Sequence, residues 1–205
     1  MRIAVTSEEY LKDPCRASSL PFWKSEQFEF PDDVFIYRED ELDEKCGNDE
    51  PYFKMIHHLE KIDQPHMPDE YELIAAEPSE IAAHIRECYR EETVTDEELL
   101  TYTQRSVYDK DLWIAIREKQ TGKIIASGIG EFDETIGEGI LEWIQVSPKY
   151  RRKGLGKVIV CELLKRLSEK AGFVTVSGRM NNPDDPFSLY KACGFEDPVI
   201  WHIVR

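Results

Sequence analysis

The chain has 205 residues, 33% of them charged and 41% hydrophobic, which suits one sizeable folded domain with or without an extension and excludes an intrinsically disordered chain. Its formal charge of −15 opposes nucleic-acid binding, and residues 1–70, with 18 acidic against 8 basic side chains, hold −10 of it. No apolar run approaches the ~18 residues of a membrane helix, and the start, Met1 to Glu9, lacks a secretory apolar region. A cytoplasmic protein without membrane partners is therefore expected.

Residues 1 to about 68 carry turn and breaker signals at short spacing: Asp13-Pro14, Leu20-Pro21, Phe30-Pro31, Cys46-Gly47-Asn48 and Pro65-His66-Met67-Pro68. Between them Val34 to Tyr37 reads as a short strand. Pro51 to Ile62 reads as a helix capped by Asn48 or Asp49, with Phe53, Ile56, Leu59 and Ile62 on one stripe. Phe22, Trp23, Phe28 and Phe30 give this extension apolar material of its own, so it is expected to be ordered and packed on a second unit, residues 69–205.

From Tyr71 the order becomes regular. Tyr71 to Ala76 reads as a strand, and a helix follows with Ser79 as its cap. A second helix, Thr95 to Val107, opens on the capping-box pair Thr95 and Glu98. Leu112 to Glu118 and Lys123 to Phe132 form a hairpin about Gln120-Thr121-Gly122-Lys123. A strand over Gly139 to Val146 follows, then a helix from Gly154 to Lys170 with Val158, Cys161, Leu163, Leu164 and Leu167 on its buried side. Ala171-Gly172 stops it. Phe173 to Ser177 is a strand, Asp184 to Cys193 a helix, and Val199 to Val204 a last strand. Strands and helices in this sequence predict an α/β protein with a mixed sheet flanked by helices.

The five cysteines, Cys15, Cys46, Cys88, Cys161 and Cys193, are odd in number and show no CxxC spacing, against both a disulfide framework and a zinc site. The adjacent His57 and His58 would point about 100° apart on a helix and could not share an ion. No metal is expected.

Chemistry concentrates in Arg151-Arg152-Lys153-Gly154-Leu155-Gly156-Lys157, where the chain leaves a strand and opens a helix. A helix start presents N–H groups without internal partners at the positive end of its dipole. Glycines let an anion approach the backbone, and basic side chains add charge-assisted hydrogen bonds. The stretch reads as a phosphate site, with a solvated basic rim as the plainer alternative. Neither G-x-x-x-x-G-K-[ST] nor G-x-G-x-x-G is met, because Val158 and Ile159 follow the glycines.

What remains, Arg151-x-x-Gly154-x-Gly156, resembles the pyrophosphate loop of the GNAT superfamily of N-acetyltransferases. Two further blocks carry the resemblance: Gly139 to Val146 with its exit Ser147-Pro148-Lys149-Tyr150, similar to the family's fourth strand, and Asn181-Asn182 followed by Ser188-Leu189-Tyr190-Lys191-Ala192-Cys193-Gly194-Phe195, similar to its N…LYxxxGF signature. The resemblance covers residues 71–205. It implies a GNAT acyl-CoA N-acyltransferase fold whose fourth and fifth strands splay apart, with acetyl-coenzyme A as cosubstrate. It also implies direct transfer of the acetyl group to a primary amine.

On that resemblance the coenzyme contacts are the backbone of Arg152, Lys153, Gly154, Leu155, Gly156 and Lys157, with Arg151 and Lys157 side chains adding charge. The strand edge Ile144, Gln145 and Val146 would carry the pantetheine arm. Asn182 lies eight residues before Tyr190, farther than the family's usual spacing, so its contact is left open, and Asp184 or Asp185 caps the next helix instead. Tyr190 takes the place of the acid that meets the leaving thiolate. An alkylamine with a pKa near 10.4 is almost wholly protonated at neutral pH and needs a base. Glu142 is the candidate, because alternation along the strand would put it on the face of Ile144. Glu131 is the runner-up, and a water relay stays open. Cys193 reads as a packing residue and Trp143 as core or substrate wall. The acceptor, a small-molecule or peptide amine favoured by the negative field, would meet the helices and loop over 80–108. A homodimer is left open. The rival reading is a catalytically idle acyl-CoA sensor or interaction protein whose acidic extension holds a basic partner.

Overall fold

The structure, a computed structural model, describes residues 5–27, 31–41, 49–89 and 93–204. Phe28, Phe30, Cys46, Gly47 and Asn48, used in the reading above, lie outside the described residues. Residues 71–204 follow the expected order: β3 (Tyr71–Ala75), α4 (Pro78–Cys88), α5 (Asp96–Tyr102), β4 (Trp113–Glu118), β5 (Ile124–Asp133), β6 (Glu138–Val146), α6 (Leu155–Leu167), β7 (Phe173–Arg179), α7 (Pro186–Ala192) and β8 (Glu196–Val204). Before them come α1 (Ser7–Lys12), α2 (Pro14–Ala17), α3 (Phe22–Gln27), β1 (Phe35–Arg38) and β2 (Asp49–His57). All eight strands form one sheet in the order β1-β8-β2-β7-β6-β5-β4-β3. Among the described residues, only β6 and β7 pair in parallel.

Two helix starts differ in detail from expectation. Helix α4 is capped by Glu77, not Ser79, because Pro78 occupies the first turn and Glu77 and Glu80 satisfy each other's backbone N–H groups. Helix α5 starts at Thr95 as expected, its side chain accepting from Glu98 N, but ends at Tyr102 in a run of turns.

The larger difference is β2. Residues 49–57 form a strand, not the start of a helix. It lies between β7 and β8, antiparallel to both, with Tyr52 to His57 facing Arg179 to Val174 on one side and Asp49 to Ile56 facing Val204 to Glu196 on the other. Paired along both edges, it is also covered on both faces, by α7 against Phe53 and by the N-terminal helices against Lys54, so Phe53 to His57 are buried without interruption. Continuous burial imitates the apolar stripe of a helix when Phe53 and Ile56 are read alone.

Helices α6 and α7 cover one face of the sheet; α4 and α5, together with α1 to α3, cover the other. The second group is fastened by a buried charge. Lys54, fully buried on β2, donates to Tyr10 Oη (2.8 Å) and faces the carbonyls of Pro14, Ser18 and Leu20 at 2.8–2.9 Å. Glu138, fully buried on β6, accepts from Tyr10 Oη (2.6 Å), Thr175 Oγ1 (2.6 Å) and Phe22 N (3.0 Å). Each charge is thus compensated inside the fold, which is the condition for burying it at all. No described helix is long and apolar enough to cross a membrane.

Candidate active site

Strands β6 and β7 pair only between Glu138–Leu141 and Phe173–Val176. Beyond Leu141, β6 continues to Val146 on β5 while β7 continues to Arg179 on β2, so the two strands part and leave one edge of β6 open. A cleft of about 560 Å³ lies there. It is lined by Ile144 to Val146, by Arg151, Arg152 and Gly154 to Lys157 of the turn, by Tyr89, and by Asn182 to Pro186 with Ser188 and Leu189. Every coenzyme candidate in that turn except Lys153 borders the cleft, as does Asn182.

The helix mouth explains the turn's composition. Gly154, the residue before α6, has φ +80° and offers no side-chain cap. A Cβ there would meet nothing within 4 Å, so the backbone faces open space. The first N–H groups of α6, those of Leu155, Gly156 and Lys157, accordingly have no partner within the helix. Gly156 is close-packed, since a Cβ would stand 3.2 Å from Leu189 Cδ2. Arg152 also sits in the left-handed region, at φ +64°.

The cations of the turn are more engaged than the sequence suggested. Arg151 Nε donates to Val146 O (3.1 Å) and its Nη1 to Asp184 (2.6 Å), so this side chain braces the strand exit against the loop before α7. Lys157 pairs with Asp63 at 2.6 Å, and Lys153 lies over the Tyr150 ring. Asn182 Oδ1 accepts from Asp184 N (2.9 Å), closing a turn, and Asp185 caps α7 by accepting from Ser188 N. Tyr89 Oη donates to Ile144 O at 3.4 Å.

Alternation fails on β6. Ile129 pairs with Glu142 and Ser127 with Gln145, so β6 holds one residue more than β5 between those pairs. Trp143 takes φ +49° at this bulge, which reverses the side-chain sequence. Ile144 faces α6: its Cδ1 and Ile159 Cγ2 would both clash with a Cβ on Gly128. Glu142, opposite Ile129, faces the α4 side. The expectation that Glu142 and Ile144 share a face is therefore wrong, and the bulge is the reason. Gln145 turns to the α4 side as well, where its Nε2 donates to Ser127 Oγ (2.5 Å). His84 bridges Ser127 Oγ (2.8 Å) and Ser147 Oγ (3.0 Å), and burial pushes its pKa down to about 4.

Tyr190 projects from α7 into the core, its ring 6.0 Å from Phe53 and 5.5 Å from Phe195. Burial pushes the phenol well above its ordinary pKa, with further upward contributions from Tyr89, Cys193 and Glu142. Glu131, on β5 and only 2% exposed, is held by Arg105 at 2.6 Å, while its Oε2 has no partner among the described residues. Burial and then the charge of Glu142 raise its pKa to about 7 against the pull of Arg105. Arg105 is itself stacked on the Tyr102 ring. Cys193 is buried beside Cys161, as a packing residue. The sequence pointed to Glu131 only as a second choice; its burial arises from packing that spacing does not reveal.

Residues 108–197 match the family described as "Acetyltransferase (GNAT) domain", and the region before them lies outside that match. A GCN5-related N-acetyltransferase from Sphaerobacter thermophilus is similar in fold, with a TM-score of 0.62 and 19% identity over 75% of this chain and 51% of that one. An acetyltransferase of the GNAT family from Colwellia psychrerythraea gives 0.60 and 16%, over 82% and 63%. The ribosomal-protein-S18-alanine N-acetyltransferase from Escherichia coli gives 0.50 and 18%, over 65% and 92%. This chain thus spans about half to two thirds of the length of the first two. No curated protein matches the sequence.

Proposed function

We propose that the chain transfers the acetyl group of acetyl-coenzyme A to a primary amine. The observation that carries this reading is the cleft itself: an open edge of β6 beside a glycine-bearing helix mouth, at the place where β6 leaves β7. The amides of Leu155, Gly156 and Lys157 suit a pyrophosphate, and the edge from Ile144 to Val146 suits the amide-bearing arm behind it. The coenzyme supplies an acetyl thioester.

The chain's own groups have the following roles in this reading. Glu131 and Glu142 form a carboxylate pair that takes the proton from the acceptor ammonium; Glu131, with a pKa near 7, is matched to neutral pH and has a free oxygen to receive it. Tyr190, its proton held more firmly than in free tyrosine, stays neutral and donates a hydrogen bond to the sulfur as the C–S bond breaks. Arg151 fixes the strand exit and leaves phosphate binding chiefly to backbone amides. The test has two arms: titration calorimetry with acetyl-coenzyme A, and release of the coenzyme thiol in the presence of a panel of amines. Binding together with amine-dependent thiol release is expected, and absence of heat with every coenzyme A species would overturn the reading.

A further inference from the structure

A second cavity of about 280 Å³ lies on the opposite face of the sheet from α6. Its roof is the segment Ser19 to Lys24, which the extension lays across the sheet. Its floor includes Ile36 from β1, Tyr52 from β2, Trp201 and Ile203 from β8, and Ser177 from β7, and it ends at Glu142 on β6. Register places these side chains on one face: Ile36 stands opposite Ile203, Tyr52 opposite Trp201, and Lys54, whose side chain reaches the N-terminal helices, opposite Ser177.

We infer that this cavity receives the acceptor, and that the extension restricts the acceptor to a small primary amine with one positive charge and an apolar body. The inference rests on the acetyl-transfer reading above and adds to it the substrate class and the wall that sets it. Three observations carry it. First, the cavity and the coenzyme cleft border successive parts of one strand: Leu141 and Glu142 line the former, Ile144 to Val146 the latter, and the bulge at Trp143 separates them. Glu142 pairs across the ladder with Ile129, two residues before Glu131 on β5, and its charge bears on Glu131.

Second, the chemistry of the lining is uneven. A carboxylate closes one end, with the unpartnered Oε2 of Glu131 on the neighbouring strand, and the rest of the floor is largely aliphatic and aromatic. That arrangement accepts one ammonium and one apolar group. Third, Lys24 hangs from the roof close enough to bear on Glu131. A second cation on the acceptor would meet it. The volume, about 280 Å³, falls just below the range of ligand pockets, about 300 to 1,000 Å³, and leaves no room for a folded peptide.

The test compares thiol release from acetyl-coenzyme A with 2-phenylethylamine, spermidine and a lysine-bearing tripeptide. In the wild type, kcat/KM for 2-phenylethylamine is expected to exceed the other two by at least about tenfold. Ser177→Phe, at an exposed position of the lining, should raise KM for 2-phenylethylamine by about tenfold while the calorimetric affinity for acetyl-coenzyme A stays unchanged, which also certifies the fold. Tyr52→Ala should shift preference toward bulkier amines. Preference for spermidine or the peptide, or an unchanged amine KM in Ser177→Phe, would overturn the inference. Thiol release with none of the amines would overturn the acetyl-transfer reading instead. The cavity is then judged by titrating 2-phenylethylamine into wild type and Ser177→Phe: binding to the wild type alone upholds the site, and no binding or equal binding removes it.

Discussion

Replacing Lys54 by Met should detach the N-terminal helices from the sheet without unfolding the rest at once. Lys54 is wholly buried, and its ammonium faces Tyr10 Oη and three carbonyls of residues 14–20. Methionine fills much the same volume, so the cavity contribution is small. What is lost is the buried cation that offsets Glu138, also wholly buried, through Tyr10 Oη, together with the ammonium that the carbonyls of Pro14, Ser18 and Leu20 face. Removing one of two buried charges that offset each other costs up to about 3–5 kcal/mol, the figure for a direct pair, because the other is left uncompensated. For a chain of this length that corresponds to a fall in Tm on the order of 10 °C. Glu138→Gln keeps the acceptor for Tyr10 and Thr175, and the pair of substitutions together should cost less than the sum of the two alone. Thermal unfolding of the four proteins gives the cycle, and amide exchange over residues 5–27 shows where it is felt. A Lys54→Met protein within about 1 kcal/mol of wild type, or a strictly additive double variant, would refute the coupling.

Three further outcomes follow from the site. Gly156→Val drives side-chain carbons toward Leu189 and Val146 at the helix mouth, and calorimetry should find acetyl-coenzyme A affinity reduced by at least about tenfold. If Glu131 receives the acceptor's proton, kcat/KM for an amine rises as pH passes through about 7; Glu131→Gln should remove that inflection and lower the plateau by roughly 10²–10⁴, and an unaltered profile would assign the proton elsewhere. His84 has a folded pKa of about 4 below its usual 6.5, so the unfolded chain takes up a proton first as pH falls between those values. Stability is lost over that window, by about 3 kcal/mol for this residue, and His84→Gln should flatten that part of the curve measured by urea unfolding.

The regular half of the chain was legible because its signals are local. The capping residue Thr95, the hairpin at Gly122 and the glycines before α6 each act over a few residues, and each falls where the sequence placed it. The glycine-bearing turn that opens α6 was legible for the same reason. What escaped depends on distant partners. Whether Phe53 and Ile56 belong to a helix or a strand is decided by β7 and β8, more than a hundred residues away. The facing of Glu142 is decided by a single inserted residue at Trp143, which no periodicity announces. The engagement of Arg151 and Lys157 comes from Asp184 and Asp63, loop residues with no pattern of their own.

The position of β2 has a kinetic corollary. A strand synthesised early is enclosed by two strands synthesised last, so the sheet cannot be completed while the chain is still being made. Its pairings are among the most non-local in the molecule, the kind that slow folding. During synthesis β2 waits with both edges bare, exposed to other chains. The tightly packed N-terminal helices, with Lys54 at their centre, have their docking surface only once that wait is over.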